Sequence, residues 1–191
     1  EKGTTSMSNT VNTYCGNLVA EPYFKRIGKD NAVARLRIAC SDSRVEPSQI
    51  FDTNPGEIFV VRNVAALVPP FETTPGRHGV SAALEFAVQA LRVKHIVVLG
   101  HALCGGIRAF IDKIDPLSPG DFIGRWMSQI APAAESLGPK KQYDSETYQR
   151  RLEFASVELS LTNLMTFPCV RILVERGKLK LHGAYFGVAA L

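Results

Sequence analysis

The chain has 191 residues, 46% hydrophobic and 21% charged, with a formal net charge of +4 and an isoelectric point near 9.0. That length can bury one good core, so a single domain is expected. There is no basic stripe interleaved with aromatics and no apolar run long enough to cross a bilayer, so neither nucleic acid nor a membrane is expected as a partner.

Residues 1–17 are rich in Ser, Thr and Asn and read as a flexible N-terminal arm ahead of a catalytic domain over 18–191. Leu36–Cys40 reads as a short strand that ends at a thiol. A second strand over 57–63 follows the turn Asn54-Pro55-Gly56, and Pro69-Pro70 then stops regular structure. Val80, Ala83, Leu84, Ala87, Val88 and Leu91 recur at helical spacing and predict an amphipathic helix over 79–92. His95–Leu99 is an unbroken apolar run of strand length, of the kind buried on both faces of a parallel sheet, and it runs into Gly100-His101. Cys104-Gly105-Gly106 opens a helix to about residue 114. Further helices are predicted over 121–137, bent at Pro132, over 145–166, and from Pro168, before a late strand over 179–186.

Alternating strands and helices predict an α/β fold with a mostly parallel central sheet flanked by helices. Reactive groups in such folds gather at the carboxyl ends of the strands. Cys40 and His101 both fall there.

The chemistry concentrates in Cys40-Ser41-Asp42-Ser43-Arg44 and in His101-Ala102-Leu103-Cys104-Gly105-Gly106. Two thiolates and one imidazole form a natural zinc set, and three protein ligands leave a fourth position open, as catalytic zinc sites do. The remaining cysteines, Cys15 and Cys169, read as a free thiol in the arm and a helix-face packing residue. Two reduced thiols for a metal require a reducing compartment. A cytoplasmic location is expected, and an organellar one stays open because the sequence opens on Glu1. Asp42 can either orient a zinc-bound hydroxide or ligate the zinc itself, and Arg44 can hold it off the metal through a bidentate pair.

These residues resemble the β-class carbonic anhydrases, over nearly all of 31–187. The similarity also takes in Pro55-Gly56-Glu57, Phe59–Ala65, Gly79–Val88, Asp121-Phe122-Ile123 with Trp126, and Leu181-His182-Gly183. The resemblance implies zinc on Cys40, His101 and Cys104, an Asp42–Arg44 dyad, and reversible hydration of CO2 to bicarbonate by zinc-bound hydroxide. It implies a homodimer with its cleft at the interface, of a kind that in the family often, though not always, assembles further to a tetramer or higher. The backbone N–H near Gly105 would hold a substrate oxygen. The pocket positions of plant-like members correspond to Asn31, Phe59, Val64 and Phe86; Asn31 is one methylene shorter than the usual Gln, and Phe86 lacks a Tyr hydroxyl. Where some bacterial members carry a regulatory Trp, this chain has Arg37, which points to the open subtype not gated by bicarbonate. Family members continue into a further strand beyond the position of Gly187, so edge protection there is in question.

Two other readings stand beside CO2 hydration. Hydrolysis of COS or CS2 would share the ligands and the dyad. A zinc-bearing assembly module without turnover would not need the dyad. Nucleotide binding is weaker still, since no Gly-rich phosphate loop follows the first strand. His78, His95 and His182 read as helix-start, structural and packing residues, and both Gly105 and Gly106 are expected to be glycine for steric reasons.

Overall fold

Four short runs rich in β-branched and aliphatic residues form an all-parallel sheet: β1 Arg35–Cys40, β2 Phe59–Asn63, β3 His95–His101 and β4 Lys180–Phe186, in the order β2-β1-β3-β4. This computed structural model describes residues 35–188; the expected arm over 1–17, Cys15 and Asn31 lie outside them.

Helices connect the strands: α1 Pro47–Ile50, α2 Gly79–Glu85, α3 Gly105–Asp112, α4 Phe122–Met127, α5 Ala131–Leu137, α6 Ser145–Leu164 and α7 Pro168–Glu175; α6 packs on β3 and β4, while α4 and α5 pack on α3 and α6. The helix expected over 79–92 divides. After Glu85 it widens into a π turn, Phe86–Ala90, in which the Leu91 N–H reaches back to the Phe86 carbonyl at 3.0 Å. The helix expected over 121–137 also divides, with a 3-10 turn at Ser128–Ile130 between α4 and α5. Pro132 lies in the first turn of α5, where a missing N–H costs nothing, so the proline starts a helix instead of bending one.

Leu36, Ile38, Ile96 and Val98 pack on one side with Leu84, Val88, Leu164 and Val170; Ala39, Val97 and Leu99 pack on the other with Val45 and Phe51. Burial on both faces is what the unbroken run in β3 demands. His95 and His182 sit on adjacent strands with Nδ1 and Nε2 3.0 Å apart, and the buried Arg37 stacks over the Phe51 ring at 4.3 Å.

Register places the site. Ala39 pairs with Leu99, so His101 extends past the end of β1 and stands beside Cys40. β1 leads to β2 on one side and has β3 on the other, so this crevice is the topological switch point, where parallel α/β sheets gather their ligands.

Candidate metal centre

Cys40, His101 and Cys104 are all buried, and one ligand atom from each lies within 4.8 Å of the others. Cys40 is the last residue of β1 and His101 the last of β3, while Cys104 is the residue before α3. Leu103, just before it, is in the left-handed region at φ 54°, which turns the chain sharply between the two ligands.

His101 Nδ1 lies 2.9 Å from the Ala102 carbonyl, which can only accept, so the ring proton sits on Nδ1 and the lone pair on Nε2. Nε2 is buried and makes no hydrogen bond of regular geometry among the described residues. The Cys40 sulfur accepts the Ala65 N–H at 3.3 Å. That amide is aimed by a turn holding Ala65 and Ala66 at φ 66° and 56°, a strained pair of non-glycine residues. Asn63 closes the turn with both ends of its side chain on Leu67, at 2.8 and 2.9 Å.

The two buried thiols are pushed in opposite directions by each other. A hydrogen bond from Cys104 lowers the Cys40 thiol despite burial, with help from His101 and the Asp42 and Ala65 amides. The same bond, with burial, raises Cys104, although the N–H groups of Gly106 and Ile107 at the start of α3 work the other way. Burial opposes a charged His101, but the Cys40 sulfur, the Ala102 carbonyl and Asp42 outweigh it and raise the ring. A divalent cation would displace these protons and satisfy all three donors at once. Two cysteine sulfurs beside a bare, buried imidazole nitrogen make a donor set that fits zinc.

The structure pairs Asp42 with Arg44. The guanidinium donates Nε to Oδ1 at 2.9 Å and Nη2 to Oδ2 at 2.7 Å, and the Arg44 amide adds a bond at 3.0 Å. These bonds hold the Asp42 carboxyl well below the usual carboxylate range. Asp42 Oδ2 stands 4.0 Å from His101 Nε2. Arg44 Nη2 also donates to the Leu103 carbonyl at 3.2 Å, tying the two loops together.

Three groups around the site were not singled out for these roles by sequence. Arg62 donates to the carbonyls of Cys40, Asp42 and Val45 at 3.1, 2.8 and 2.7 Å and to Glu46 Oε2 at 3.0 Å, so one side chain shapes the loop that carries the dyad. Trp126 Nε1 donates to the Val64 carbonyl at 2.8 Å. Behind Cys104 lies a buried polar set, Gln149, Glu153 and Tyr185. A legible signal existed: Gln149, Glu153, Ser156 and Ser160 recur every three or four residues along α6, and all four are buried.

The other expected site residues separate. Val64 lies beside Gly106, where a Cβ would meet its Cγ1 at 2.6 Å. Phe59 and Phe86 stack on each other with centroids 5.8 Å apart. Phe59 pairs with Leu36, about 13 Å along the strands from the Cys40 end, so this pair does not line the cluster of its own chain. Steric need explains Gly106 but not Gly105, whose Cβ would meet nothing within 4 Å. His78 takes the helix-start position expected of it, as the N-cap residue of α2 whose carbonyl accepts the Ala82 N–H at 2.9 Å, but its side chain makes no capping bond; its Nε2 contacts the Thr74 carbonyl at 2.9 Å instead. Cys169 packs against the core, as expected.

Comparison with known proteins agrees with this geometry. The carbonic anhydrase family model matches residues 35–190. Beta carbonic anhydrase 5, chloroplastic, of Arabidopsis thaliana is 38% identical over 167 residues, covering 86% of this chain and 54% of that protein. The structure of the β-carbonic anhydrase CcaA superposes with a TM-score of 0.76 at 26% identity, over 89% of this chain and 76% of that one. A tetrameric β-carbonic anhydrase of the ascomycete Sordaria macrospora gives 0.71 at 28%, over 87% and 82%. The chain spans 54% to 64% of the length of the curated relatives it matches. Sequence, fold and the three-donor cluster agree: this chain belongs to the β class of the carbonic anhydrase family.

Proposed function

We propose that the chain catalyses reversible hydration of carbon dioxide to bicarbonate and a proton, with zinc held by Cys40, His101 and Cys104. The observation that carries this reading is the Asp42–Arg44 pair, whose carboxylate stands 4.0 Å from the bare His101 nitrogen. An assembly module would need the three donors but not an oriented carboxylate beside them.

Zinc, when bound, supplies the Lewis acidity that makes water nucleophilic near neutral pH. Every other part of the task falls to the chain. Arg44 occupies one side of the Asp42 carboxylate, which leaves its remaining lone pairs to accept a hydrogen bond from the reacting water and to aim it, while the carboxyl itself stays ionised. Arg62 fixes the backbone on which Asp42 rides. The Gly105 amide, in the first turn of α3, is a donor suited to an anionic product oxygen. The absence of any close neighbour for a Gly105 Cβ leaves room for a small substrate. Val64 lends an apolar wall.

Phe59 and the half-exposed Phe86 belong in this scheme to the pocket of a second copy, so the active unit is read as a homodimer. No single helix among the described residues is long and apolar enough to cross a membrane. The compartment is read as a reducing one, cytoplasmic or organellar, because Cys40 and Cys104 must stay free thiols.

Stopped-flow CO2 hydration with a pH indicator, on protein of known zinc content, tests the proposal. Turnover should vanish on chelation, return with zinc, and rise with pH. Zinc-loaded protein that turns over nothing from neutral to alkaline pH would overturn it.

A further inference from the structure

α6 places a carboxylate where an apolar residue would hold the helix to the sheet at lower cost. Glu153 is 3% exposed, between Leu152 and Phe154. Burying a carboxylate is expensive unless donors surround it. Here they do. Oε1 accepts the Cys104 N–H at 3.0 Å and Gln149 Nε2 at 3.1 Å, and Oε2 accepts the Tyr185 hydroxyl at 2.6 Å. Gln149 Nε2 also lies 3.5 Å from the Cys104 carbonyl. The ring of Tyr185 is fixed by Phe154, with centroids 4.2 Å apart. One side chain therefore joins α6, β4 and the loop into α3.

The Cys104 amide could not be served by its own helix. It precedes α3, and the first N–H groups of a helix have no partner inside it. Leu103, held left-handed, turns the loop so that this N–H faces α6 while the sulfur faces Cys40. A backbone in that conformation persists only where its surroundings over-determine it. The hydrogen bond from Glu153 to Cys104 is made to the backbone, not to the sulfur.

We propose that Glu153 is a positioning residue for the metal centre: with Gln149 and Tyr185 it grips the Cys104 amide and so fixes the sulfur against His101 and Cys40. The proposal rests on reading these three residues as zinc ligands, and its experiment keeps the two apart.

Zinc affinity is measured by chelator competition on the wild-type chain and on Glu153→Gln, Glu153→Met and Tyr185→Phe, together with far-UV circular dichroism and hydrogen exchange at the Cys104 amide in metal-free protein. Glu153→Met should keep the fold, lose zinc affinity by about 10- to 100-fold, and exchange the Cys104 amide faster. Glu153→Gln keeps an oxygen for that amide and should stay within a few-fold of wild type; a merely structural carboxylate would not be rescued in this graded way. Tyr185→Phe, which leaves the Cys104 contact in place, should fall between them and serves as the readout if Glu153→Met does not fold. Unchanged zinc affinity and unchanged exchange in folded Glu153→Met would overturn the proposal; where that variant does not fold, unchanged zinc affinity in Tyr185→Phe, which removes the hydroxyl that fixes Glu153, overturns it in its place. A wild-type chain that binds no zinc would sink the metal reading instead, while the exchange of the Cys104 amide would still decide whether Glu153 grips the loop.

Discussion

Two adjacent glycines should respond to the same methyl group with opposite signs. A Cβ on Gly106 would sit 2.6 Å from Val64 Cγ1, 3.3 Å from Ala65 Cβ and 3.4 Å from Met127 Sδ. Comfortable carbon contacts need about 3.5–4.0 Å, so relief requires a shift of about 1 Å. Little nearby can yield. Val64 is β-branched and stiff at χ1, its carbonyl is held by Trp126, and Ala65 lies in the strained turn that serves Cys40. Overpacking of this kind costs about 1–3 kcal/mol, or about 2–12 °C in Tm for a domain of this size. Gly105→Ala meets no atom within 4 Å, and alanine is the better helix former, so that variant should gain between zero and about 1 kcal/mol. Urea and thermal unfolding of both variants would measure the contrast. Val64→Ala in the Gly106→Ala background should recover at least about 1 kcal/mol beyond additivity, because it removes the atom struck. Equal destabilisation at the two glycines, or no coupling to Val64, would refute the steric account.

Asp42→Ala should retain zinc, since the cluster keeps its three donors, but lose CO2 hydration by about 100-fold or more; stopped flow with metal analysis separates the two effects. Arg62→Met removes the side-chain donor from the carbonyls of Cys40, Asp42 and Val45, of which Asp42 keeps the Val45 N–H, and should cost about 2 kcal/mol in urea unfolding, with a fall in hydration at unchanged zinc content. His182 carries a pH signature: burial first, then His95, Arg37 and Lys180, depress its ring from 6.5 to about 4. A depressed pKa means the unfolded chain takes up the proton first, so stability is intact above about pH 6.5 and falls as pH drops towards 4, by about 3 kcal/mol in all. His182→Asn should flatten the stability curve in that window relative to wild type; parallel curves would show that the ring titrates normally.

What could be read from sequence divides along a physical line. β3 was legible because a strand buried on both faces must be apolar throughout, and its end marked His101. Cys40, Asp42, Arg44 and Cys104 were legible because metal and carboxylate chemistry demands particular residue types within a few positions of each other. Arg62 was not, because its work is done on backbone carbonyls, and any sequence offers those. The same holds for the Ala65 amide on Cys40, which depends on two alanines adopting a conformation their side chains disfavour. The break at Pro132 is not legible, because a proline inside a helical pattern looks the same whether it bends one helix or begins the next; the 3-10 turn before it decides. Glu153 is the intermediate case. Its spacing along α6 marks a polar stripe, but burial turns that stripe from a solvated face into a second tier of the metal centre, and burial is set by β4 and the α3 loop, 32 and 49 residues distant. Ligand identity is local information; ligand orientation is supplied by residues far away in sequence, which is why the first was legible and the second required the fold.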